Sequence, residues 1–67
     1  MKTGTVSWFS NKLGYGFITP DDGEKDIFVH YSGVNMKGYK TLEKGERVSY
    51  DVVQGEKGPQ AENVQRI

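Results

Sequence analysis

No cysteine occurs in the chain, so neither a disulfide nor a thiolate metal site can staple it. The single histidine, His30, leaves no set of ligands for a structural zinc. No apolar run approaches the ~18 residues needed to cross a bilayer. No basic-then-apolar leader opens the chain either, so the expectation is a cytoplasmic, unprocessed protein with no membrane partner. Catalytic equipment is equally sparse. There is no thiol nucleophile, and one histidine would have to serve every serine. No enzyme activity and no cofactor are expected. An excess of one charge is also missing: nine basic residues balance nine acidic ones. That balance at first argues against a nucleic-acid binder, because phosphate attracts basic surfaces.

What is present is short, aromatic and extended. The 67 residues are expected to form one domain, 1–67. A domain of that size buries only about 60% of the surface its unfolded chain exposes. Its stability margin should be roughly 3–5 kcal/mol. The charges are unevenly placed. Residues 1–20 hold Lys2 and Lys12 and no acid, and residues 27–42 hold Lys37 and Lys40 and no acid. Between them, Asp21, Asp22, Glu24 and Asp26 surround Lys25. Seven of the eight aromatics lie in the two positive segments, and only Tyr50 lies outside. The acidic cluster reads as a solvated hairpin turn and not as a metal site.

The stretch Leu13-Gly14-Tyr15-Gly16-Phe17-Ile18 organises the rest. As a strand it sends Tyr15 and Phe17 to one face and Gly16 and Ile18 to the other. Ile27-Phe28-Val29-His30 has the same grammar, with Phe28 and His30 on one face. If Ile18, Ile27 and Val29 build a core, parity points Phe17, Phe28 and His30 outward. Three rings on a solvent-facing patch need a reason. Flat rings stack on nucleobases, at about 1–3 kcal/mol per base, and tolerate any base. His30 adds an ionisable ring. Gly14 and Gly16 either ease a barrel bend or clear space beside Tyr15.

Five strands are expected in all. They are 4–9, the stretch above up to Thr19, a third opening at Asp26 or Ile27, Glu46 to Val53, and Gln60 to Gln65. Pro20-Asp21-Asp22-Gly23-Glu24 turns the second into the third. Tyr31 to Val34 is at most one helical turn. Loops are expected at residues 35–40 and 54–59. An all-β barrel follows, since closure removes exposed edges. Its expected core is Val6, Ile18, Ile27, Val29, Val34, Leu42, Val48, Tyr50, Val52 and Val64. Trp8 is ambiguous. Strict alternation from Val6 sends it inward, and only a bulge or sharp twist would turn it out. Phe9 should then line the rim, while Tyr31 and Tyr39 either cap the core or touch a ligand. A small barrel that binds peptides through the same patch is the alternative to nucleic-acid binding. An RNA-recognition-motif fold shares the Gly-aromatic-Gly-Phe order but needs two helices, for which the chain has no room.

Gly14-Tyr15-Gly16-Phe17-Ile18 and Phe28-Val29-His30 resemble the two ribonucleoprotein-type motifs of bacterial cold-shock proteins. Gly4, Trp8-Phe9, Gly38-Tyr39-Lys40-Thr41-Leu42 and Gly58-Pro59-Gln60-Ala61 resemble that family too, in order and through essentially the whole chain. The resemblance implies a five-stranded antiparallel OB-fold barrel. It implies binding of single-stranded RNA and single-stranded DNA, with low sequence specificity and some pyrimidine preference, by an RNA chaperone. It assigns stacking to Tyr15, Phe17, Phe28 and His30, with Tyr31 directly after. It makes Trp8 an exposed contact and adds Phe9 and Tyr39. Asp26, Lys40 and Gln60 match positions that hydrogen-bond bases or backbone. The chain departs from the family at Ser7 and Leu13, where lysine is usual, and at Ser10, where asparagine is common. Lys12 either replaces the lost charge from one residue away or points its side chain elsewhere. Tyrosines at 15, 31 and 39 stand where phenylalanine is common and add a hydroxyl. A monomer is expected, with domain swapping through the long loops as the alternative.

Overall fold

The computed structural model describes residues 1–35, 42–56 and 58–67. It contains five strands: β1 (Lys2–Ser10), β2 (Tyr15–Pro20), β3 (Ile27–His30), β4 (Arg47–Gly55) and β5 (Gly58–Arg66). A 3₁₀ turn, Tyr31–Gly33, follows β3. The strands close into a barrel in the order β1-β2-β3-β5-β4, the five-stranded OB-fold. Four seams are antiparallel, and the closing seam between β3 and β5 is parallel, through Phe28 opposite Gln60 and Val29 opposite Ala61.

Alternation does most of the work of filling the barrel. Along β2 and β3 the buried positions are Gly16, Ile18, Pro20, Ile27 and Val29, and Tyr15, Phe17, Phe28 and His30 lie on the half-buried outer face. The core is Val6, Ile18, Ile27, Val29, Val34, Leu42, Val48, Tyr50, Ala61 and Val64. Nine of the ten expected core residues are therefore inside. Val52 is not: it is 41% exposed. The large Tyr50 ring, fully enclosed, takes the last inward place on β4. Val52, two residues on, sits beyond the filled interior and faces a groove with Phe28 and Pro59.

Two bulges break the alternation where the core requires it. In β1, Val6 pairs with Ile18 and Trp8 pairs with Phe17, so Ser7 is an extra residue with no counterpart on β2. In β5, Ser49 faces Gln65 and Asp51 faces Glu62, so Asn63 and Val64 together oppose the single residue Tyr50. Asn63 has φ 55°, in the left-handed region that asparagine tolerates best after glycine. Its amide oxygen accepts from Asn35 Nδ2 at 2.7 Å. This bulge lets Ala61 and Val64, three residues apart, both point into the core.

Leu13 lies outside the expected strand. Residues 11–14 form a turn in which Gly14 N–H donates to Ser10 O at 2.8 Å and Leu13 N–H donates to Ser10 Oγ at 3.1 Å. Gly14 closes that turn at φ +80°, so its glycine serves backbone conformation and β2 starts only at Tyr15. The expected loop at 54–59 is also mostly strand, because pairing runs to Gln54 with Pro59 and Gly55 with Gly58. Residues 36–41, including the expected loop through Gly38 and Tyr39, lie outside the described residues, as does Lys57.

Candidate nucleic-acid interface

β1, β2 and β3 lie side by side, and their outward residues form a sheet of rings. Phe17 and Phe28 face each other across β2 and β3, with centroids 6.1 Å apart and planes at 75°. Tyr15 reaches diagonally to Phe28 at 5.7 Å and 30°. Trp8 closes the circuit, edge-on to Tyr15 at 5.7 Å and tilted against Phe17 at 6.3 Å. Four rings thus support one another in a closed loop. Such pairs add about 0.5–1.5 kcal/mol each beyond the area they bury. Trp8 remains 43% exposed, which the Ser7 bulge explains: were Ser7 paired as a regular strand residue, Trp8 would share the inward face of Val6. The tryptophan ambiguity is resolved on the outward side.

His30 and Tyr31 make a second pair, with centroids 4.5 Å apart. His30 Nδ1 accepts from the Ser32 backbone N–H at 3.2 Å and lies 2.8 Å from Ser32 Oγ. A backbone N–H can only donate, so the neutral ring carries its proton on Nε2. Tyr31 is exposed, and its N–H is anchored on Gly14 O at 2.8 Å. That bond ties the second pair to the turn before β2.

Phe9 behaves differently. It is half-buried and packs on the core. It faces Gly16, where an added Cβ would lie 2.1 Å from Trp8 O and 2.6 Å from Phe9 Cα. Gly16 is therefore required for the close approach of β1, and Phe9 stands on the side of the sheet away from the four-ring cluster. Gln60 is half-buried beside Phe28 in the parallel seam, with its amide donating to Glu62 Oε1 at 3.1 Å. Lys12 is exposed in the turn and has no carboxylate partner among the described residues. Tyr39 and Lys40 fall outside the described residues.

Two of the four acids of the hairpin, Asp21 and Asp22, are held in ion pairs. Lys2 Nζ pairs with Asp22 at 2.8 Å, and Arg47 grips Asp21 through two nitrogens at 2.5 and 2.6 Å. Arg47 first, and then the Thr3 hydroxyl, hold the Asp21 carboxyl down at about 2. Lys2 likewise lowers Asp22. Asp26, like Glu24, has no ion-pair partner among the described residues. Its two oxygens accept from hydroxyls, Thr19 at 2.9 Å and Ser7 at 3.2 Å. Asp26 lines an open groove of about 520 Å³ together with Phe17, Ile27, Phe28, Val52 and Pro59. The Ser7–Asp26 contact was not visible in the sequence, because it joins β1 to a residue 19 positions further on.

The chain as a whole matches known proteins. Residues 2–67 match the model of the 'Cold-shock' DNA-binding domain. Cold shock protein CspA of Staphylococcus saprophyticus is 52% identical over 67 residues, covering 100% of both chains. Cold shock protein ScoF of Streptomyces coelicolor is 52% identical over 64 residues, covering 96% of each. A solved structure titled drosophila Unr CSD456 superimposes with a TM-score of 0.81 at 21% identity, over 98% of this chain and 26% of that one, and shares the fold. The chain belongs to the cold-shock domain family, a nucleic-acid-binding family. No helix among the described residues is long and apolar enough to cross a membrane.

Proposed function

We propose that this protein binds single-stranded RNA and DNA by stacking bases on the Trp8, Tyr15, Phe17 and Phe28 cluster, and acts as an RNA chaperone. The observation that carries the reading is the closed ring of four aromatics on the outer face of a barrel whose core is already filled. None of the four is needed inside. Flat rings offer a surface that any unpaired base can cover, and a base-paired helix hides those faces. Binding the unpaired state lowers its free energy and so pulls weak secondary structure open. His30 and Tyr31 extend the surface past β3, with Nε2–H of His30 free to donate. Tyr39, Lys40, Gln60 and Lys12 are assigned supporting contacts to base edges or phosphate, and Phe9 backs the platform from the core side. The protein works as a monomer in the cytoplasm.

The test is a titration followed by Trp8 fluorescence, using oligothymidine, oligodeoxyadenosine and a hairpin RNA. Saturable quenching by the single strands, and melting of the hairpin, are expected. A response to apolar peptides with none to oligonucleotides would favour the peptide-binding alternative.

A further inference from the structure

Asp26 stands out as a carboxylate placed among the aromatic rings without a cation. Thr19 Oγ1 donates to one of its oxygens at 2.9 Å and Ser7 Oγ to the other at 3.2 Å. No lysine or arginine among the described residues pairs with it. Ser7 Oγ also lies 3.2 Å from Phe17 O, so its single proton serves two acceptors and is not available to a ligand. The Thr19 proton is likewise committed to Asp26. Ser7 and Thr19 therefore offer a ligand no donor beside Asp26, while Lys2 and Lys25 line the same groove without pairing with it. An ionised carboxylate has about four lone-pair sites. The two hydroxyls occupy one on each oxygen, which leaves one on each for a ligand.

Resting on the stacking function proposed above, we infer that Asp26, fixed by Ser7 and Thr19, selects guanine at the base position next to Phe17 and Phe28. The argument is one of matching edges. A carboxylate with a free lone pair on each oxygen accepts two parallel N–H bonds, as it does from the arginine fork. Guanine alone among the common bases presents two adjacent donors on its Watson–Crick edge, N1–H and N2–H. Thymine and uracil present one N–H between two carbonyl oxygens, which the second carboxylate oxygen would repel. Cytosine and adenine present an amino group beside a ring-nitrogen acceptor, with the same conflict. A lysine in the place of Ser7 would supply a donor beside Asp26 and accommodate a carbonyl. Serine withholds it. At this one position the chain should thus depart from the pyrimidine preference that family resemblance implies.

The experiment compares a short thymidine oligomer with the same oligomer carrying one guanine, placed at each position in turn, by Trp8 fluorescence. The best-placed guanine should tighten binding at least about fivefold, the lower end expected of a bidentate base contact. Inosine, which lacks the N2 amino group, should lose most of that gain. Asp26→Asn should erase the guanine preference while leaving binding of oligothymidine measurable, and Ser7→Lys should move preference toward thymine. Equal affinity for all oligomers, or a guanine preference that survives Asp26→Asn, overturns the inference. If oligothymidine binds but guanine gives no gain, only the guanine assignment fails. If no oligonucleotide binds, the stacking function itself fails.

Discussion

Trp8 stands opposite Phe17 on the outer face of the barrel because Ser7 occupies an extra place between Val6 and Trp8 in β1. One inserted residue separates a core position from a platform position. Were Ser7 paired as an ordinary strand residue, Trp8 would fall two places from Val6 and turn inward. Deleting Ser7 removes the bulge but keeps Val6 opposite Ile18 and Trp8 opposite Phe17, so plain alternation still points Trp8 outward. The deletion variant should fold with its tryptophan emission at an unchanged wavelength. Emission shifted to shorter wavelength would contradict the register that aims Trp8 here.

Leu13 is 56% exposed in the turn beside the platform, an apolar residue where the family resemblance implies lysine. With Lys12 as the cation left in that turn, few phosphates can be neutralised there. Each phosphate contact to a single strand contributes about −0.7 to the slope of log K against log salt, so a slope on the order of −1 to −2 is expected for oligothymidine. Leu13→Lys should tighten binding and steepen the slope by about 0.7. A steep slope in the unmodified protein would contradict this account of Leu13.

Acid should remove part of the stability through Asp21. Arg47 and Thr3 hold its carboxyl at about 2 in the folded protein. In the unfolded chain it titrates near the ordinary aspartate value, about 3.9. A depressed folded value means that the contribution is complete above the unfolded value and is lost as pH falls through the folded one. Asp22 and Glu46, lowered by Lys2 and Arg66, act with the same sign. Melting temperature should fall between about pH 4 and pH 2, and Arg47→Ala should flatten that decline. An identical acid profile in the variant would count against the Asp21–Arg47 pair as its source.

Tyr50 gives a prediction of the opposite direction. Its ring fills the end of the barrel, and its enclosed hydroxyl has no hydrogen-bond partner among the described residues. Burial also raises the phenol above its ordinary value. An unsatisfied buried polar group costs about 1–3 kcal/mol. Tyr50→Phe keeps the ring and should stabilise the protein by up to that amount in urea unfolding. A destabilised variant would mean that the hydroxyl is satisfied in solution.

The aromatic and aliphatic faces of β2 and β3 were legible because simple alternation governs both strands, and the aliphatic set Ile18, Ile27 and Val29 left one sensible register. Features that depend on a break in alternation were not. The sequence posed the Trp8 question but did not place the bulge at Ser7, and the left-handed Asn63 that turns both Ala61 and Val64 inward gave no signal. Leu13 read as strand because it adjoins Gly14-Tyr15; the αL conformation of Gly14 makes it a turn instead. Val52 satisfied the parity of β4, yet parity carries no information about where the barrel interior ends. The Asp26 cradle is a contact between distant segments and has no local pattern at all.

The measurement closest to the central claim is the affinity of Phe17→Ala and Phe28→Ala for oligothymidine, taken beside their melting temperatures. Both rings are half-buried on the outer face and stand outside the core cluster. Each variant should stay folded and bind about 1–3 kcal/mol more weakly. Variants that unfold while the folded fraction keeps full affinity would contradict the account, because the two rings would then be core residues and not a platform for bases.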